Sequence, residues 1–150
     1  MKTIVALVDF SDVTPRVIEQ TQKMAKAFDA QVVVLHVVPK EPVVLGIGVA
    51  APVVLAIPSE EAIQADYARL TGIRDALAQS GVSATVQQLR EGDADRLLEE
   101  SARLHADLLV LGSHHHGALY NWFIGSYTSD VLKSAHCPVL VVPPEVPAPA

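Results

Sequence analysis

Leu108-Leu109-Val110-Leu111-Gly112-Ser113-His114-His115-His116-Gly117, with Gly125-Ser126-Tyr127-Thr128 shortly after it, is the stretch on which the fold turns. An apolar run of strand length stops at Gly112, and a polar, histidine-rich loop follows. Gly125 then precedes Ser126 and Thr128, where a helical pattern begins with Val131, Leu132 and Ala135. Strand, glycine, loop, glycine-serine, helix is the layout of a backbone phosphate cradle. Glycines let the main chain approach a ligand with no Cβ in the way. Ser126 stands where a helix start leaves N–H groups unpaired and carries partial positive charge.

Working outward, the same strand-then-helix alternation fills the chain. Lys2 to Val8 is short, β-branched and almost continuously apolar, as a strand buried on both faces of a parallel sheet reads. A helix start lies between Ser11 and Pro15, with Ser11, Asp12 and Thr14 as candidate caps and Pro15 suited to the first turn. Val17, Ile18, Thr21, Met24, Ala25 and Phe28 form its core face; Arg16, Glu19, Gln20 and Lys23 form the other. Gln31 to Val38 is a second buried strand, in which His36 reads as a core or sheet-end histidine with its hydrogen bond satisfied. Ser59 caps a helix with Glu60 and Glu61 in its first turn and the stripe Ile63, Tyr67, Leu70, Ile73, Leu77, ended by Gly81. Val82 to Leu89 alternates like an edge strand. Asp93 or Asp95 caps a helix with Leu97, Leu98, Ala102 and Leu104, and Asp107 leads into Leu108 to Leu111. A helix from Ser126 to about Ala135 and a strand from Pro138 to Val142 complete the pattern. Five strands alternating with four helices predict a single-domain α/β fold: a five-stranded parallel sheet with helices on both faces, over residues 1–143, with 144–150 as a flexible Pro-rich tail.

Composition narrows the partners. The chain has 150 residues, half of them hydrophobic, and a net charge of −6, which argues against the basic stripe a nucleic-acid binder needs. A small anion held by backbone N–H groups needs no such stripe. One cysteine, Cys137, allows no internal disulfide, and Asp9 and Asp12 directly follow the apolar Ile4–Val8, unlike a secretory leader. A cytoplasmic location is the expectation. Pro39 to Ser59 is a long apolar connection broken by Gly46, Gly48 and Pro52. Those breakers and its length argue for packing or partner docking through 39–58 rather than membrane contact.

In an open parallel sheet, ligands bind outside the carboxyl ends of the strands where strand order reverses. If the strands starting at Lys2 and Leu108 are neighbours there, Asp9 and Gly112 face one crevice, with the Ser126 helix start over it. An acid, apolar walls, a glycine turn and a helix N terminus suit a nucleotide. The chain resembles the universal stress proteins over nearly its whole length, from Ile4-Val5-Ala6-Leu7-Val8-Asp9-Phe10-Ser11 through Leu35-His36-Val37-Val38 to Cys137-Pro138-Val139-Leu140-Val141-Val142. The nucleotide-binding branch of that family carries Gly-x-x-Gly, nine residues, then Gly-Ser/Thr. Gly112 and Gly125-Ser126 match it; His115 replaces the middle glycine, and Gly117 is two residues late.

The resemblance implies a Rossmann-like, adenine nucleotide alpha hydrolase-like fold that binds ATP, ADP or AMP, with Mg2+ as a possible companion. It implies a regulatory role in the stress response rather than an enzymatic one. Asp9 and Val37 would flank the adenine and ribose, Gly112 would approach the ribose-phosphate region, and Ser126, Tyr127 and Thr128 would serve the phosphates. The full candidate set is Leu7, Val8, Asp9, Val37, Leu111, Gly112, Ser113, His114, His115, Gly117, Gly125, Ser126, Tyr127 and Thr128. A homodimer through Pro138–Val142 is implied too. No catalytic residue is expected: Asp9 has no nucleophile beside it, and Cys137 reads as a small buried hydrophobe. Three adjacent histidines, His114 to His116, cannot converge on one tetrahedral metal. Trp122 and Phe123 read as apolar anchors of the loop.

Overall fold

Strand β1 (Thr3–Leu7) lies at the centre of the sheet, with Ile4, Val5 and Ala6 sealed from solvent at 0% exposure. The computed structural model describes residues 1–39, 43–44, 55–56, 58–113 and 126–146. The elements after β1 are α1 (Thr14–Phe28), β2 (Gln31–Pro39), β3 (Val43–Val44), β4 (Leu55–Ala56), α2 (Glu60–Gln79) and β5 (Ala84–Gly92). Then come α3 (Ala94–Arg103), β6 (Leu108–Gly112), α4 (Ser126–Ser134) and β7 (Val139–Val142). The five long strands form one sheet in the order β5-β2-β1-β6-β7, every pairing parallel. The expected fold is therefore the observed one. The connection after β2 adds a feature that its apolar composition did not predict, a small antiparallel pairing of β3 with β4. The remainder of that connection lies outside the described residues.

The alternation of side chains along the strands builds two cores. Ile4, Ala6, Val8, Val32, Val34, Leu108 and Val110 face α1 and α2, meeting Val13 just ahead of α1, Val17 and Ala25 within it, and Leu70 and Leu77 of α2. Val5, Val33, Leu35, Leu109 and Leu111 face α3 and α4, meeting Leu97, Leu98 and Val131. Each fully buried aliphatic side chain contributes about 1.5–3 kcal/mol, so these two layers hold the sheet together. Glycine is required at Gly92, where β5 ends against β2: an added Cβ would stand 2.5 Å from Val37 Cγ1.

Helix ends follow the local chemistry. The Ser59 hydroxyl accepts the Ala62 N–H at 3.1 Å, and the Asp93 carboxylate accepts the Arg96 N–H at 2.9 Å, as expected of caps. The start of α1 differs from expectation. Val13, whose side chain has no acceptor, occupies the cap position, and the Thr14 hydroxyl in the first turn donates to Asp9 Oδ1. Phe28 and Tyr67, expected on core faces, are 49% and 43% exposed. Ala102 is exposed as well, while Glu100 of the same helix is buried between Arg103 and Gln87. Edge strand β5 starts later than expected and runs on to Gly92, pairing there with Pro39 across an irregularity after Val37. Among the described residues no helix is long and apolar enough to cross a membrane.

Arg90 grips the Glu60 carboxylate with both terminal nitrogens, at 2.9 and 2.6 Å, and so ties the first turn of α2 to β5. The Arg90 hydrogen bond, helped by Gln64, holds the Glu60 carboxyl down at about 2 against an ordinary 4.5. A depressed carboxylate stabilises the fold fully above its unfolded value and loses that contribution as pH falls through the folded value. Glu60→Gln is therefore expected to flatten the stability profile between about pH 4.5 and about pH 2, modestly because the pair is exposed. Urea melts across that range check it.

Candidate functional site

Sheet growth reverses between β1 and β6: β2 and β5 lie on one side of β1, β6 and β7 on the other. Two connections leave the carboxyl edge in opposite directions here, opening the crevice where α/β sheets take ligands. The structure brings Leu7, Val8 and Asp9, Val37, and Leu111, Gly112 and Ser113 to the carboxyl ends of three adjacent strands. Helix α4 begins at Ser126 and runs back toward the amino edge, where β7 enters beside Leu109. Its first turn, with Ser126, Tyr127 and a half-buried Thr128, is therefore on the carboxyl side. His114, His115, Gly117 and Gly125 lie outside the described residues, as do Trp122 and Phe123.

The candidate residues divide by environment. Val8 and Leu111 are each 1% exposed and belong to the two opposite cores, so they offer the crevice only main chain. Leu7 and Val37 are half-buried and both face the α3/α4 layer, where they form an apolar wall. Asp9 is exposed at the rim; its Oδ1 accepts the Ser11 N–H at 3.1 Å and the Thr14 hydroxyl at 3.4 Å, which turns the chain into α1. Gly112 has a packing reason that its sequence context did not disclose. A Cβ there would stand 2.8 Å from Val13 Cγ1 and 3.3 Å from Val17 Cγ2. The Ser113 N–H extends the β6–β7 ladder by donating to Val142 O at 2.9 Å.

Beside the crevice sits a group that periodicity did not single out. Phe10, the residue after Asp9, has φ +59°. Its ring packs on His36, which is 8% exposed and donates from Nδ1 to Val8 O at 2.9 Å. That matches the reading of His36 as a satisfied sheet-end histidine. Asp66 and Arg69 of α2 complete the group. Their spacing of three marks a helix-surface pair and carries no signal of partners on β2 or in the turn after β1.

Among the described residues no three His, Cys, Asp or Glu side chains converge as a metal site. Burial pushes the half-buried Cys137 thiol up, away from the reactive thiolate.

The family model described as the universal stress protein family matches residues 1–143. The chain belongs to the universal stress protein family. A universal stress protein of Methanocaldococcus jannaschii is 32% identical over 141 residues, spanning 94% of this chain and 81% of that one. The structure of the universal stress protein from Archaeoglobus fulgidus in complex with dAMP superposes with a TM-score of 0.68 at 22% identity, covering 95% of this chain and 98% of that one. A universal stress protein family member from Arabidopsis thaliana with AMP bound gives 0.62 at 19% identity, covering 100% and 97%. At such identities the likeness to these universal stress proteins shows the shared fold.

The role of Gly112 is open to direct measurement. Gly112→Ala is expected to destabilise the fold by about 1–3 kcal/mol, the scale of overpacking. Val13→Ala in the same chain is expected to give less than additive loss, since it removes the methyl group that the new Cβ meets. A double-mutant cycle by denaturant unfolding reads both.

Proposed function

We propose that this universal stress protein is an adenine-nucleotide-binding regulatory module, taking AMP, ADP or ATP in the crevice between the carboxyl ends of β1 and β6. The observation that carries the reading is the reversal of strand order between those two strands, with the Asp9 turn at the rim and the Leu7–Val37 wall beside it. An apolar wall suits a base, and a helix start on the carboxyl side suits phosphate. The dAMP and AMP carried by the two solved relatives support the same ligand class. Mg2+, where present, would reach this site on the phosphates of a di- or triphosphate rather than in a protein cage. Among the described residues no side chain at the crevice pairs a nucleophile with a base, and the role we propose is ligand sensing. We further propose that two copies pair through β7, whose outer edge has no partner strand among the described residues and whose Val139, Leu140 and Val141 are half-buried. A cytoplasmic location fits this role.

Freshly purified protein is expected to release AMP, ADP or ATP on denaturation, seen by mass spectrometry, and to give binding heat with at least one of them. No released nucleotide and no heat at millimolar ligand would overturn the reading and favour a partner-docking protein acting through 39–58.

His115 holds the motif position where the family carries glycine. If its side chain stands against the outer phosphates, His115→Gly tightens ATP more than AMP in the same titration. Equal or weaker ATP affinity in the variant would exclude that obstruction.

A further inference from the structure

A closed ring of contacts surrounds the Asp9 turn. The Val8 carbonyl accepts from His36 Nδ1 at 2.9 Å, and since a carbonyl only accepts, the proton is on Nδ1. The other ring nitrogen, Nε2, stands 3.7 Å from Asp66 Oδ2, near it but beyond hydrogen-bond distance. Asp66 Oδ1 accepts from Arg69 Nη1 at 3.2 Å. The Arg69 guanidinium lies 4.1 Å from the centroid of the Phe10 ring, in cation–π contact. The Phe10 ring in turn meets His36, with centroids 4.8 Å apart and planes tilted by 50°. From Phe10 the circuit returns to Val8 through the backbone of Asp9.

Two features show that this ring does more than fill space. Phe10 is held at φ +59°, a conformation L residues avoid and keep only where their surroundings over-determine it. The ring's polar members are also placed to constrain main chain. His36 fixes the carbonyl just before Asp9, and the Phe10 clamp fixes the backbone just after it.

We propose that His36, Asp66 and Arg69 are positioning residues for the nucleotide crevice, which set the Asp9 turn through the Val8 carbonyl and the Phe10 ring and thereby couple α2 to ligand binding. The inference rests on the nucleotide reading above. It assigns α2 a part in affinity although that helix lies on the outer side of the β2–β5 half of the sheet. It also predicts that a change on the exposed surface of α2 alters the crevice.

The test compares wild type with Arg69→Ala, Phe10→Gly and Phe10→Tyr. Three readouts are used: AMP titration, thermal melting, and hydrogen exchange of the Ser11 amide, which donates to Asp9 Oδ1 and so reports the turn directly. The Arg69 side chain is 56% exposed, so Arg69→Ala leaves melting nearly unchanged. It is expected to weaken AMP roughly tenfold, the scale of coupling within one contact network, and to speed Ser11 exchange in the ligand-free protein. Phe10→Gly relieves the backbone but loses the ring, and gives the same two effects. Phe10→Tyr keeps the ring and restores both. Wild-type binding with unchanged affinity and unchanged Ser11 exchange in Arg69→Ala and Phe10→Gly overturns this inference alone. A wild type that binds no adenine nucleotide overturns the ligand reading and this inference with it.

Discussion

The structure depends on the enclosure of β1. Its faces are covered by helices on both sides, and both of its edges are taken by parallel neighbours, β2 and β6. Water reaches none of Ile4, Val5 or Ala6. A strand so placed is apolar through its middle, with Thr3 polar at its entry, and the chain that leaves its carboxyl end turns outward at once. Asp9 and Phe10 make that turn. Asp9 captures the Ser11 amide and the Thr14 hydroxyl, and Phe10 adopts a left-handed backbone beside His36. The crevice between β1 and β6 is therefore a direct result of how tightly the middle of the sheet is closed.

What could be read from the residues follows the same physics. Strands β1, β2 and β6 were legible because burial on both faces leaves an unbroken apolar run. β5 was legible as an edge because it alternates, but its carboxyl end was not. The pairing of Gly92 with Pro39 depends on the irregularity after Val37 and on Gly92 sitting under the Val37 methyl, neither of which has a period. The α1 cap was misread for a related reason. Ser11, Asp12 and Thr14 all have capping side chains, yet the helix starts behind Val13, with Ser11 Oγ accepting the Val13 N–H and the Thr14 hydroxyl donating to Asp9 Oδ1 within the same turn.

The candidate site was legible in outline and opaque in detail. Strand ends, glycines and the Ser126 helix start place a crevice. A glycine in sequence, however, says only that a Cβ is unwelcome, not what excludes it; at Gly112 the neighbour is Val13. Phe10, His36, Asp66 and Arg69 come from three separate elements, and no spacing rule joins them. The buried Glu100 is comparable. Its helix was read with Leu97, Leu98, Ala102 and Leu104 inward, yet Arg103 and Gln87 supply enough partners for the Glu100 carboxylate to stay inside, held below the ordinary carboxylate range chiefly by Arg103.

At the other end of the sheet, Asp107 Oδ2 accepts the Lys2 and Thr3 amides at 2.6 and 3.0 Å, and those bonds keep its carboxyl below the usual range. The start of the chain is thereby clasped to the entry of β6, a full strand length from the crevice. An affinity handle, a fluorophore or a surface linker joined ahead of Met1 would emerge at the amino edge of the sheet, opposite the crevice. The molecule can be tethered there with its crevice presented outward, whereas a tether at the other terminus would leave from beside α1, where Pro143 to Val146 lie along Arg16 and Glu19.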